Sequence, residues 1–174
     1  MRALTRKEFF VDNQRYRQIL GHFATGVTIV IAEVAGSWHG MTANSFTSVS
    51  LDPPLILLAI DHKARMKDAI QKNRPLTISI LRDSQTALSQ LFAQVDPLGD
   101  PFSGLQVERA QSGVPYLKDA LAYVACRITA NSSEGDHDLV ICRVEELAVL
   151  GPGNPLIFFQ GRYHRIDRLD SQPS

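Results

Sequence analysis

The chain has 174 residues, 44% of them hydrophobic and 21% charged, a composition that suits one globular domain able to bury its own core. Eighteen basic residues balance eighteen acidic ones, so the surplus of positive charge expected of a general nucleic-acid binder is missing. The longest apolar runs fall short of the roughly 20 residues that span a bilayer, and no apolar segment follows "MRALTRKEFF" as it would in a secretory signal. The expectation is a cytoplasmic protein without a membrane segment.

The first predicted element is a helix over 13–24, capped by Asp12. Tyr16, Ile19, Leu20 and Phe23 recur at helical spacing and give it one apolar face, and Gly26 is expected to end it. "VTIVIAEV" (27–34) is rich in β-branched residues and predicts a strand, "AGS" a hairpin turn, and "WHGMTA" (38–43) the partner strand. From Thr42 to Ser50 the chain then carries five hydroxyls and one amide, closed by Pro53 and Pro54. "LILLAI" (55–60) follows as a buried strand. "KARMKDAIQKN" (63–73) predicts a short helix with Met66, Ala69 and Ile70 inward. "PLTISIL" (75–81) is a strand, and a helix capped by Asp83 or Ser84 covers 85–94.

Residues 95–119 form an irregular excursion of the kind that often carries function. "ALAYVACRITAN" and "DLVICRVEELAVL" flank the turn "SSEGDH" and predict a long antiparallel hairpin. "GPGN" is a turn, "PLIFFQGRYHRI" is a strand pair or a strand kinked at Gly161, and the tail 167–174 is expected to fray. There is no internal repeat. Strands dominate and do not alternate regularly with helices. A single mainly-β domain over 1–174 is therefore expected, a Greek-key or up-and-down barrel with short peripheral helices, and not a doubly wound parallel sheet.

Four constellations carry chemical meaning. The hydroxyl-rich segment can free backbone amides to meet a heterocycle edge or a phosphate; it can equally be a polar sheet edge or bulge. No Lys or Arg occurs between Arg17 and Lys63, so Lys63 and Arg65 are the nearest cations for such an anion, unless they are ordinary solvated charges. His137, in "EGDHD", is placed either to meet a ligand or to sit on a plain surface turn. Phe158 and Phe159 point to opposite sides of a strand, one toward the core and one toward a cofactor or an interface. Cys126 and Cys142 lie in apolar runs without metal-ligand spacing, so free buried thiols and no metal are expected. His22, His39 and His62 show no ligand-like neighbours. No dinucleotide fingerprint, phosphate-binding P-loop or nucleophile elbow is present.

Taken together, "FATGVTIV", "GMTANSFTSVSLDPPLILLAID", "GDHDLVICRVEEL" and "PLIFFQGRY", in this order, closely resemble the short-chain flavin reductases, the reductase components of two-component flavin-dependent monooxygenases. The resemblance spans about residues 12 to 166. It implies an FMN-binding split β-barrel, a homodimer, bound FMN or FAD, NADH or NADPH as co-substrate, and a partner oxygenase. Carried across, Thr42, Ala43, Asn44 and Ser45 line the flavin ring, with Phe46 in the same wrap. Thr47, Ser48 and Ser50 lie toward the ribityl chain and phosphate. Asp61, His62, Lys63 and Ala64 stand where the family often has a run such as Asn-Arg-Ser, and Lys63 would supply the cation absent upstream. Gly135, Asp136 and His137 match a motif whose histidine lies near the nicotinamide, and Phe159 and Tyr163 match an aromatic stretch near the site. The implied chemistry is hydride transfer by alignment, without a catalytic acid or base. A reductase with tightly held FMN acting on another acceptor, and a non-catalytic flavin- or heme-binding module, are the alternatives.

Overall fold

A computed structural model describes residues 11–166; the predicted fraying tail and the N-terminal decapeptide lie outside them. Helix α1 (Asn13–Leu20) is capped as expected, the Asp12 carboxylate accepting from the Arg15 amide at 3.0 Å. It ends earlier than predicted, at Gly21, and Gly26 instead belongs to the short strand β1 (Thr25–Gly26). The hairpin β2 (Thr28–Val34) and β3 (Ser37–Ala43) turns through Ala35 and Gly36. Both have positive φ, the conformation a two-residue hairpin loop needs.

The hydroxyl-rich segment is only partly a loop. Thr42 and Ala43 finish β3, and Thr47–Leu51 form β4, which is bulged between Ser48 and Ser50 against β5 (Pro54–Asp61). The helix expected over 63–73 is a single 3-10 turn, Arg65–Ala69, with Met66 and Ala69 buried and Ile70 buried directly after it. Strand β6 (Pro75–Ile80) leads through a 3-10 turn, Asp83–Gln85, into α2 (Thr86–Phe92). The cap there is neither Asp83 nor Ser84. The Gln85 side chain reaches back to accept from the Arg82 amide at 2.8 Å. Within the excursion, β7 (Val107–Arg109) pairs with β8 (Pro115–Leu117). Strands β9 (Ala122–Glu134) and β10 (His137–Val149) form the long hairpin, and β11 (Ile157–Phe159) and β12 (Arg162–His164) form a true strand pair, turning at Gly161.

Seven strands make one antiparallel sheet in the order β3-β2-β6-β9-β10-β5-β4. Alternate residues of β2, β5, β6, β9 and β10 feed one interior: Val30, Leu58, Ile60, Ile78, Ile128 and Val140 share a core cluster with Met66. Strands from across the whole sheet can converge on one cluster only if the sheet curls on itself. No ladder joins β3 to β4, so the curl is open, yet only residues 44–46 separate these two edges. Ser45 fastens the seam, its hydroxyl donating to the Ala59 carbonyl at 2.7 Å and accepting from the Ala59 amide at 3.2 Å. A second core lies on the other side of β2, where Ile29 and Ile31 meet Phe92 of α2 and Phe102, Val114 and Leu156. Both cysteines are buried and free. A hydrogen bond between the two thiols, together with burial, pushes the Cys126 thiol far up, which keeps it protonated and unreactive.

Candidate functional site

A cavity of about 350 Å³ opens where the ends of β3 and β5 meet α2 and the β11–β12 hairpin. Its size falls in the usual range of about 300–1,000 Å³ for small-molecule sites. The walls are apolar, supplied by Val27, Met41, Phe92 and Phe158. Phe158 packs edge-on against Tyr163, its cross-strand partner, with ring centroids 5.4 Å apart. Polar groups enter from three directions: Thr42 and Asn44 at the end of β3, Ser89 from α2, and Tyr163 from β12. Lys63 and Arg65 stand together at one side, and neither forms an ion pair among the described residues.

Local structure explains these positions. Gly40 lets α2 sit close on β3, because a Cβ there would lie 2.5 Å from Phe92 Cε1 and 2.9 Å from Phe102 Cζ. The loop after β5 is drawn tight by Asp61, whose carboxylate accepts from the Lys63 amide at 2.8 Å and whose carbonyl accepts from the Ala64 amide at 2.8 Å. Lys63 and Arg65 are thereby held at the cavity.

Of the residues singled out in the sequence, Thr42, Asn44, Asp61, Lys63, Ala64, Arg65, Phe158 and Tyr163 line this cavity. The others stand elsewhere. Ala43 is buried and its carbonyl accepts from the Thr28 hydroxyl at 2.7 Å. Ser45 is committed to Ala59, and Phe46 packs on the inner core. Thr47, Ser48 and Ser50 lie on edge strand β4. Phe159 turns away to pack against His22 and His164, while its neighbour Phe158 faces the cavity. Gly135 and Asp136 form the turn of the long hairpin, and His137 is the first residue of β10 rather than a turn residue. This hairpin tip abuts the cavity loop, since the His62 amide donates to the Asp136 carbonyl at 3.0 Å and His137 pairs with Asp61. The hydrogen bond from His137 at 2.7 Å holds the exposed Asp136 carboxyl below the usual carboxylate range.

His62 does have polar neighbours, contrary to the expectation. Its Nε2 lies 3.2 Å from both Asp138 Oδ1 and Ser133 Oγ. Because both meet the same nitrogen, the three do not form a nucleophilic triad. Among the described residues no cluster suited to hold a metal ion occurs. Sequence reasoning missed Met41, Phe92 and Ser89. The last two sit three residues apart on the inner stripe of α2, and a small polar residue on an apolar helix face was the available signal.

The donor set fits a flat, partly polar heteroaromatic ligand carrying an anionic tail: apolar faces for a ring, neutral groups at its edge, and two cations to one side. Fold and site thus define a class, a curled antiparallel sheet with a ligand-sized cavity at the mouth of its seam. The family model described as a flavin reductase like domain matches residues 20–167, and the chain belongs to that family. It is 42% identical over 156 residues to an NADH-dependent flavin reductase of Rhodococcus sp, covering 88% of this chain and 86% of that protein. It is 39% identical over 153 residues to the reductase component of a 4-nitrophenol 4-monooxygenase/4-nitrocatechol 2-monooxygenase of Rhodococcus opacus, covering 88% and 80%. Among solved structures, the NADH:FAD oxidoreductase SgcE6 of Streptomyces globisporus C-1027, in complex with NAD and FAD fragments, superposes with a TM-score of 0.84 at 31% identity. That match covers 92% of this chain and 96% of SgcE6.

Proposed function

We infer that this protein is an NADH-dependent flavin reductase that supplies reduced flavin to a partner monooxygenase. The observation that carries the reading is the cavity itself, with apolar ring-sized walls, neutral donors at one edge, and Lys63 and Arg65 unpaired beside them. A bound flavin supplies the two-electron acceptor. The residues of the chain bind and align it. Phe158, Phe92 and Met41 exclude water from its faces. Asn44 presents an amide to its edge. Lys63 and Arg65 neutralise a phosphate, whether that of FMN or the nearer one of FAD. Hydride transfer between nicotinamide and flavin asks these residues for alignment, not for proton abstraction.

The hairpin tip at Gly135, Asp136 and His137 is assigned to the nicotinamide side, on the strength of its contact with the cavity loop through His62. A homodimer is also part of the reading. On the outer face of the sheet Leu139 and Ile141 of β10 stand beside Ala59 and Leu57 of β5, an apolar surface with no covering element among the described residues. The deciding experiment is a steady-state matrix of NADH and NADPH against riboflavin, FMN and FAD. Oxidation of NADH that requires added flavin is expected. Flavin that stays with the protein through gel filtration and reduces another acceptor would point to a prosthetic role, and no flavin-dependent oxidation at all would overturn the reading.

A further inference from the structure

Ser89 is fully buried on α2, and its hydroxyl lies 2.9 Å from Tyr163 Oη. Tyr163 is the only hydrogen-bond partner of that hydroxyl among the described residues. The Ser89 carbonyl is already occupied, accepting from Thr42 Oγ1 at 2.6 Å and from the Ala93 amide at 3.1 Å. Each hydroxyl has one proton to give. Were Tyr163 the donor, the Ser89 proton would be buried without an acceptor, an arrangement folded proteins avoid. Ser89 therefore donates to Tyr163. The phenol proton is then left for a group on the cavity side, and Tyr163 lines the cavity.

The hydroxyls next to it do not share this freedom. Thr42 spends its proton on Ser89, and Ser45 spends its own on Ala59. We propose that Tyr163 is a hydrogen-bond donor to the flavin ring, to a carbonyl oxygen or an unprotonated ring nitrogen, and that Ser89 is the positioning residue that aims its proton. This rests on the flavin reading above. Such a donor strengthens as its acceptor gains negative charge, so it favours the reduced ring over the oxidised one.

The test measures FMN affinity by fluorescence titration and the midpoint potential of bound FMN in the wild type, Tyr163→Phe, Ser89→Ala and the double variant. Tyr163→Phe is expected to weaken reduced FMN about tenfold more than oxidised FMN, seen as a lower potential. Ser89→Ala moves the potential the same way by less, and the double variant matches Tyr163→Phe. If the wild type binds no FMN, the flavin reading fails and the proposal with it. If the wild type binds FMN and Tyr163→Phe leaves affinity and potential unchanged, the proposal alone is overturned. An equal shift from Ser89→Ala with and without the Tyr163 hydroxyl would overturn the aiming role. Should Tyr163→Phe not fold, an unchanged potential in Ser89→Ala decides against the proposal.

Discussion

Lys63 and Arg65 occupy the only cationic side of the cavity, and their charges are not spent within the described protein. An ammonium that meets a phosphate contributes nothing to a ligand that lacks one. Lys63→Ala is therefore expected to raise the Kd for FMN about tenfold, the worth of one charge-assisted hydrogen bond, while riboflavin affinity stays unchanged. Parallel titrations with the two ligands check this, and equal losses would move Lys63 to the ring. Gly40 and Ser45 show which residue-scale facts a sequence hides. Nothing in "GMTANS" announces that a glycine makes room for Phe92, or that one serine in a run of hydroxyls closes a sheet seam. Both depend on partners some 15 to 60 residues away in the chain. The hydroxyls were visible as a group, but their acceptors were not, and the acceptors decide which protons remain for a ligand.

Among the elements, the central strands were legible from their β-branched and continuously apolar runs, and in β5 the burial follows a period of two. Ile56, Leu58 and Ile60 of β5 face inward as alternation requires. Strand β4 was not legible. Its Thr and Ser residues mimic a loop, and only pairing with β5 makes it a strand. The helix expected over 63–73 is one 3-10 turn, and the loop before it is held by the Asp61 carboxylate on the Lys63 amide and by the His62 amide on the hairpin tip. The apolar stripe predicted on the first helix is present, but no other element covers it among the described residues. Tyr16, Ile19, Leu20 and Phe23 are each at least 51% exposed. The outer face of β5 and β10 raises the same question on a larger scale. If a second copy covers it, Ile141→Asp places a charge in an apolar contact. The expected result is a shift in sedimentation from a two-chain to a one-chain species, with the fold retained by circular dichroism. A wild type that sediments as one chain at micromolar concentration would sink the dimer.

At the scale of the molecule, the two buried tyrosines away from the cavity are expected to govern the alkaline limit. Tyr116 and Tyr123 are buried and stacked with centroids 3.8 Å apart, hydrogen-bonded to Glu108 and Glu146 respectively. Burial pushes the Tyr116 phenol up, and the Glu146 hydrogen bond, aided by burial, pushes Tyr123 up further. In the unfolded chain both ionise near pH 10. Their contribution is thus fully present below about pH 10 and is lost as pH rises above it, because only the unfolded state then sheds the protons. Denaturant titrations should show stability falling above about pH 10, with a shallower fall in Tyr123→Phe. An unchanged slope would mean that these phenols do not govern it.

Strand β2 has five consecutive buried residues, and it divides the interior: Val30 and Ala32 belong to the core within the curl, Ile29 and Ile31 to the core beneath α2. It is a party wall between two rooms. Neither core can melt while the other stands, since removing the wall opens both at once. The cavity borrows from each side of it, taking Met41 from the partner of that wall and Phe92 from the far room. Its shape is therefore guarded by the cooperativity of the entire chain. A ligand seated there is clamped between two halves that stand or fall together, and heat should abolish the site in the same single step that abolishes the fold.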